Sequence, residues 1–375
     1  VISLATIKIQ FPEGRSAGDQ LGKRIAKAHG ASARVLIVAR PTEGDQAFAD
    51  RLSERVAGAG GQVLGLVQGS PQDARRELER LQGLGTALTS IATVQATSDW
   101  NVLENLSNRF PALGQPEIIS PRGYRWPTFL KQDNLINVAN QIAVIAIMAI
   151  GMTMVIITAG IDLSVGSLVA LSAVVAAWLI KNLVGGVEAS ALGLCIAVLA
   201  AMALCGGVGL FNGLMVTRFS IPPFIVTLAM MLIASGAAFM ISKGDSIFNE
   251  LPESFKWLGV GADLGIPNAI VLMLLLYALA HIVMEHTPFG RHIYAVGGNP
   301  EAARLSGVPV KRVLVSVHMI CGVLAGLGGI IVASQLKSGD PNFGKEYELK
   351  VIAAVVVGGT SLLGGEGKIL GTLIG

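Results

Sequence analysis

Apolar and polar positions divide the chain into two stretches with different rhythms. Over residues 1–112 short apolar runs alternate with amphipathic ones. "ARVLIVAR" (33–40), "QVLGLV" (62–67) and "TALTSIATVQ" (86–95) have strand length. Between them, "TEGDQAFADRLSERVAGAGG" (42–61) sets Phe48 and Leu52 four apart among charges and stops at glycine. "SPQDARRELERLQG" (70–83) opens on Ser70 and Pro71, a cap followed by a first-turn proline. Both predict helices, and "SDWNVLENLSNRF" (98–110) predicts another opened by Ser98. Strand alternating with helix predicts a parallel, doubly wound α/β layer. No G-x-G-x-x-G follows the first strand, so a dinucleotide site has no support.

Residues 113–137 carry three prolines and aromatics beside Arg and Lys. They read as a linker ending in an interfacial segment, with Tyr124 and Trp126 at headgroup depth. Beyond it the pattern becomes long apolar runs at 138–158, 163–180, 190–216, 222–242, 268–284, 313–334 and 349–375. About 20 residues cross roughly 30 Å of hydrocarbon, so these predict seven membrane spans, two of them short. The expected division is therefore 1–112, 113–137 and 138–375. Val1 and the closing "GTLIG" read as fragment ends, with the last span cut short.

Composition sharpens this division. The chain is 52% hydrophobic and 14% charged, with a mean hydropathy of +0.62. More than half of its charged residues fall in the first 137 positions. The 46 glycines suit helices packed closely in a bilayer. A net charge of +3, dispersed basic residues and 5% aromatics argue against a nucleic-acid partner. Cys195, Cys205 and Cys321 all sit in apolar segments and read as small buried hydrophobes. The five histidines lack the helical spacing of a zinc motif, and no nucleophile–base set is apparent, so an enzyme has no support.

Loop charges give an orientation. With residues 1–137 outside, Arg218, Arg291, Arg304, Lys311 and Arg312 fall inside, as the positive-inside rule favours.

One carboxylate breaks the apolar pattern. From Val138 to Ile180, Asp162 in "TAGIDLSVGS" is the sole charged residue. Gly160 can end the preceding helix in the left-handed conformation, and Asp162 can cap the next by accepting N–H groups near Ser164 or Val165. The segment therefore predicts a broken or re-entrant helix, tolerated at membrane depth only inside protein or beside water. Asp162 is either a structural cap or a group lining a solute path. A second local signal is "TPFGRHIYAVGGNPEAARLSGVPVKR" (287–312), in which Asn299 caps, Pro300 takes the first helical position, Glu301 suits the positive dipole end and Gly307 closes a short helix. That helix is either a docking element for a partner or a connecting turn.

"AGIDLSVGSLVAL", "FGRHIYAVGGNPEAARLSG" and "VVVGGTSLLGGEGKILGTLIG", in this order, resemble the permease subunit of ABC importers of the ribose/xylose/galactose group over about 115–375. The resemblance implies an all-α polytopic membrane protein with a broken helix, resident in the bacterial inner membrane. It implies a homodimer that carries a monosaccharide, served by a separate cytoplasmic ATPase and a periplasmic sugar-binding protein. It assigns Gly298, Asn299, Pro300, Glu301, Ala302, Ala303 and Gly307 to ATPase coupling. It sets Gly160, Asp162 and Ser164 at the broken helix of the translocation path. No G-x-x-x-x-G-K-[ST] is present, and "GGEGKI" (364–369) is not one, so no cofactor is expected on this chain and ATP belongs to the partner.

Two departures stand out. The span that the family places before "ISPRGYRWPTFLKQDNLINVANQ" is missing, and residues 1–112 instead resemble part of a periplasmic sugar-binding protein, a partial α/β doubly wound lobe. Arg51 falls near that family's sugar-binding arginine; the plainer reading is a surface helix arginine. The lobe is expected to be periplasmic, as a fused receptor, a vestige or a gene-calling artefact. The alternative to an ATP-driven importer is an ion-gradient transporter, which needs coupling ionisable groups on several spans; Asp162, His281, Glu285 and His318 are a thin set.

Overall fold

The computed structural model describes residues 7–104, 106–127, 130 and 132–375; the side chains of 7–10, 125–127, 132 and 133 are outside that description. The chain forms two compact units, 1–131 and 132–375.

The first unit follows the alternating pattern. Its elements are β1 (Ile7–Gln10), α1 (Gly14–His29), β2 (Arg34–Ala39), α2 (Glu43–Gly58), β3 (Gln62–Gln68), α3 (Pro71–Gly83), β4 (Ser90–Thr93), α4 (Leu106–Arg109), β5 (Glu117–Ile119) and β6 (Tyr124–Pro127). Four strands make a parallel sheet in the order β3-β2-β4-β5, and β1 pairs antiparallel with β6. The central strand β2 is apolar on both faces, as a parallel strand covered twice must be. Val35 and Ile37 pack with Leu21, Ile25, Phe48 and Leu52 on one face. Leu36 and Val38 pack with Leu78, Leu81 and Ile91 on the other. Ser70 and Asp73 form a reciprocal capping box at the start of α3.

Two expectations are corrected here. The helix over 98–110 shrinks to α4, after consecutive turns at 95–99 and 101–102. Ser98 bonds the Gln95 carbonyl and the Asp99 carboxylate, the local competition by which Ser and Asp draw backbone out of helices. Leu103, Leu106 and Phe110 reach the core all the same. The stretch read as a linker carries β5, which adds the fourth parallel strand through a pairing too short to leave a periodic signal. Tyr124 is exposed; the Trp126 side chain lies outside the described residues.

The second unit is helical: α5 (Gln132–Ile157), α6 (Val165–Leu183), α7 (Ala191–Phe219), α8 (Pro223–Ser242), α9 (Asn268–His286), α10 (Pro288–Gly298), α11 (Pro300–Leu305), α12 (Val310–Leu336), α13 (Tyr347–Val357) and α14 (Ile369–Ile374). Among the described residues six helices are long and apolar enough to cross a bilayer: α5 to α9 and α12. In the long-span helices α5, α6 and α12 most of the surface is buried within the unit, whereas α7, α8 and α9 expose apolar flanks. Small residues bring α12 against its neighbours. A Cβ on Gly209 of α7 would collide with the His318 carbonyl, and one on Gly151 of α5 would lie 2.7 Å from Cys321 Cα. This is close helix packing of the kind that hydrocarbon, which offers no hydrophobic drive between helices, demands.

The seventh run, 349–375, is not one span. It breaks into α13, a glycine loop and α14. Gly359, Gly364, Gly365 and Gly367 all take positive φ there, a conformation a continuing helix cannot contain. Of the cysteines, Cys205 and Cys321 are buried but Cys195 is exposed on α7 beside Leu192, Ile196 and Leu199. An apolar segment faces inward only when its solvent is water, and in a membrane unit that inference fails.

Candidate functional site

The break after α5 is built by backbone hydrogen bonds. Gly160 N–H donates to the Val155 carbonyl (3.0 Å) and Ala159 N–H to that of Ile156 (2.9 Å), the Schellman arrangement at a helix end. The left-handed residue is Ala159 at φ 60°, not Gly160 as the sequence led us to expect. Gly160 serves instead by being small, since a Cβ there would meet Val155 Cγ1 at 3.1 Å and Pro223 Cγ at 3.6 Å. The freed peptide groups are taken up by α8: Thr227 Oγ1 donates to the Ile161 carbonyl (3.2 Å) and accepts from Leu163 N–H (3.1 Å).

Asp162 is fully buried. Its Oδ1 accepts the Ser164 N–H (2.9 Å), as expected, and the Ser164 hydroxyl (2.6 Å), but Asp162 stands two residues before the cap position it was expected to fill. Ser164 is itself the N-cap of α6, with no side-chain cap bond of its own. Asn212 Nδ2 of α7 donates to Ser164 Oγ (3.2 Å). Asn212 and His318 are also fully buried, and Asp162 Oδ2, Asn212 Oδ1 and His318 Nε2 have no partner among the described residues. The His318 Nδ1 lies 2.8 Å from the Leu314 carbonyl and so carries a proton. Thr227 and Asn212 were not singled out by the sequence, and nothing in their neighbours marks them; His318 was noted only as an ionisable group on a span.

The second predicted element is also formed. Thr287 caps α10 through Gly290 N–H (3.3 Å). Asn299 ends α10 and starts α11, its Oδ1 accepting Glu301 and Ala302 N–H at 3.0 Å each. Pro300 holds the first helical position. Gly307, at φ 86°, closes α11 with its N–H on the Arg304 carbonyl (3.0 Å). Ala303 is buried, while Gly298, Glu301, Ala302, Arg304 and Leu305 are exposed. Hydrogen bonds from Arg304 hold the Glu301 carboxyl below the usual carboxylate range.

The structure joins this corner to both breaks, which the sequence did not reveal. Gly365 N–H donates to the Ile157 carbonyl (2.8 Å), tying the glycine loop after α13 to the last residue of α5. A Cβ on Gly297 would collide with that same carbonyl and lie 2.6 Å from Gly365 N. Tyr294 Oη donates to the Gly367 carbonyl (2.8 Å). The paired glycines at 297–298, 358–359 and 364–365 were the available signal.

Arg51 lies on α2, in the first unit. Its guanidinium is paired with Asp19 of α1 (3.2 Å) and Glu54 (2.9 Å), and Asp19 also binds Lys23 (2.9 Å) and Arg55 (2.6 Å). Hydrogen bonds from Lys23 and Arg55 hold the Asp19 carboxyl at about 2. Arg51 is thus partly exposed and engaged by two carboxylates, and it lines a surface cavity with Arg15, Asp19, Gln46 and Asp50.

Comparison with known proteins bears on the second unit. The profile of the family described as "Branched-chain amino acid transport system / permease component" matches residues 134–375. The ribose import permease protein of Escherichia coli (strain K12) is 46% identical over 252 residues, covering 66% of this chain and 76% of that protein. The ribose import permease protein of Bacillus subtilis (strain 168) is 42% identical over 250 residues, 66% of this chain and 75% of the relative. The L-arabinose ABC transporter permease protein of Azospirillum brasilense is 39% identical over 249 residues, 66% and 71% respectively. No solved structure matches.

Proposed function

This chain belongs to the permease family of the ABC sugar importers, and we propose that it carries a pentose, ribose first among them, as one of two identical copies around a shared path. It is a multi-pass membrane subunit and not itself an enzyme. The identity to ribose permeases over most of their length is the observation that supports the sugar assignment. Uptake of labelled ribose, arabinose and galactose tests it, in cells expressing this chain with its ATPase and binding protein. Ribose uptake that stops when the ATPase is omitted is the expected result. Uptake of no pentose or hexose sinks the assignment.

In this reading Gly298, Asn299, Pro300, Glu301, Ala302, Ala303 and Gly307 form the surface that the ATPase grips. The exposure of α11 supports it, as does the single buried Ala303 that fastens it to the unit. Gly160, Asp162 and Ser164 hold the break in the helix beside the path, with Asp162 fixing its backbone. The α/β lobe of residues 1–131 is periplasmic and serves as a docking or receptor element; Arg51 belongs to its surface. A covalently attached lobe would act at an effective concentration near millimolar.

Sidedness follows directly. With the native cysteines replaced by serine, Gln46→Cys should react with a membrane-impermeant maleimide on intact cells. Ser306→Cys should react only after permeabilisation. Labelling at 306 from outside removes the coupling assignment, and a silent 46 on intact cells removes the periplasmic lobe.

A further inference from the structure

The segment between α12 and α13 turns back into the unit. Lys337, just past α12, pairs with Glu253 (2.5 Å) in the 243–267 loop. Gly339 exchanges two backbone hydrogen bonds with Ile247 (2.8 Å each), and the Ser246 hydroxyl donates to Asp340. From there the chain descends along α6. A Cβ on Gly339 would lie 2.6 Å from Ala177 Cβ, whereas one on Gly344 would collide with the Gly166 carbonyl and lie 2.7 Å from Val169 Cβ.

The depth of this descent can be read along α6. Lys181 near its end pairs with Glu250 of the same loop (2.8 Å), which marks the aqueous level. At ~1.5 Å per residue, Gly166 lies about 22 Å further in along the axis, within a hydrocarbon layer of about 30 Å. Glu348 sits beside it, since a Cβ on Gly166 would collide with Glu348 Oε2. Lys345, Glu346 and Glu348 are thus held at bilayer depth. Lys345 and Glu346 are exposed, Glu348 is half-buried, and none of the three has an ion-pair partner among the described residues. Lys345 Nζ donates to the Asn342 amide oxygen (2.6 Å) and lies near the Asp340 carboxylate, whose charged form it favours. Charges and irregular backbone cannot face lipid, so this surface meets water or protein.

A cavity of about 270 Å³ opens there between the segment, α6 and α8, and Ser167, Ser235, Phe343, Lys345, Glu346 and Glu348 are among its walls. It lies near the lower limit of small-molecule sites, roughly 300 Å³. Its chemistry is mixed: the Ser235 hydroxyl and an ammonium to donate, carboxylates and the Ser167 hydroxyl (which itself donates to the Ser164 carbonyl) to accept, one aromatic face beside apolar Ala170, Met231 and Leu232, and a net negative set of charges that disfavours an anion. We propose that this cavity is a transit site for the monosaccharide, with the five polar side chains meeting its hydroxyls and Phe343 its C–H face. The proposal rests on the importer reading and assigns the path to the re-entrant segment and α6, with Asp162 acting only through the backbone it holds.

The test uses the complete transporter with its native cysteines replaced by serine. Single cysteines replace Ser167, Ser235 and, as a lipid-facing control, the exposed Leu199. Should either serine variant fail to express, Lys345→Cys takes its place. A small charged methanethiosulfonate reagent should modify 167 and 235 faster than 199 by roughly a hundredfold, the penalty of a charged group in hydrocarbon. Modification should abolish ribose uptake while ATP hydrolysis continues. Unreactive cysteines mean a surface sealed between two copies and overturn the site, as does full labelling with undiminished uptake. The unlabelled cysteine-free transporter separates the two claims: if it moves no sugar, the importer reading fails and takes the site with it.

Discussion

Gly297→Ala should be among the most damaging single-methyl changes in the membrane unit. The added Cβ collides with the Ile157 carbonyl and reaches 2.6 Å from Gly365 N, so it wedges apart a hydrogen bond between two backbones. Neither neighbour is the free end of a side chain that could swing away. Overpacking a close-fitted site costs about 1–3 kcal/mol, and backbone on both sides argues for the upper end. The next residue supplies the control, because a Cβ on Gly298 meets nothing within 4 Å. Thermal inactivation of the detergent-solubilised protein compares the two. Gly297→Ala should melt well below the parent, and Gly298→Ala should stay within about 0.5 kcal/mol of it. Equal melting of the two variants would refute the junction.

If α11 meets the ATPase as proposed, the same geometry links it to the break after α5. A pull on α11 reaches α10 through Asn299, which caps both helices. It would then pass to the end of α5 and to the loop after α13 through the backbone contacts of Gly297 and the Tyr294 hydrogen bond. These contacts are contiguous, and the glycines are what bring the backbones into touch.

Local rules carried far along the chain. Ser70, Asn299, Pro300 and Gly307 stand where capping chemistry puts them, because a cap depends on neighbours a few positions away. The parallel lobe followed from apolar runs of strand length, with β2 at its centre. Hydropathy failed at 349–375, since an apolar average cannot distinguish one span from two half-helices joined by glycines. It also failed at the break after α5. There Ala159 adopts the strained left-handed position at about 1–2 kcal/mol, while the adjacent glycine is required for its size. The polar partners of Asp162 come from α7 and α8, and the charged cleft owes its depth to a loop folding back along α6. Those are contacts between distant segments, and a single sequence does not encode them in any local period.

Asp162→Ala should cost about 3 kcal/mol, because it leaves both the Ser164 N–H and the Ser164 hydroxyl buried without their acceptor. Asp162→Asn should behave differently. Its amide oxygen can take the place of Oδ1 and receive both donors, and Oδ2 gives up no partner in the exchange. No basic side chain among the described residues pairs with the carboxylate, so removing its charge forfeits no ion pair and relieves a desolvation cost. The asparagine variant is therefore expected within about 1 kcal/mol of the parent and active in uptake. Melting and ribose uptake measured together separate the roles. If alanine proves as stable as the parent, the cap account is wrong. If asparagine keeps its stability but loses uptake, the charge itself acts in transport and Asp162 returns to the path. If asparagine keeps both, the carboxylate serves as a hydrogen-bond acceptor that holds the break open, and the cargo never meets it.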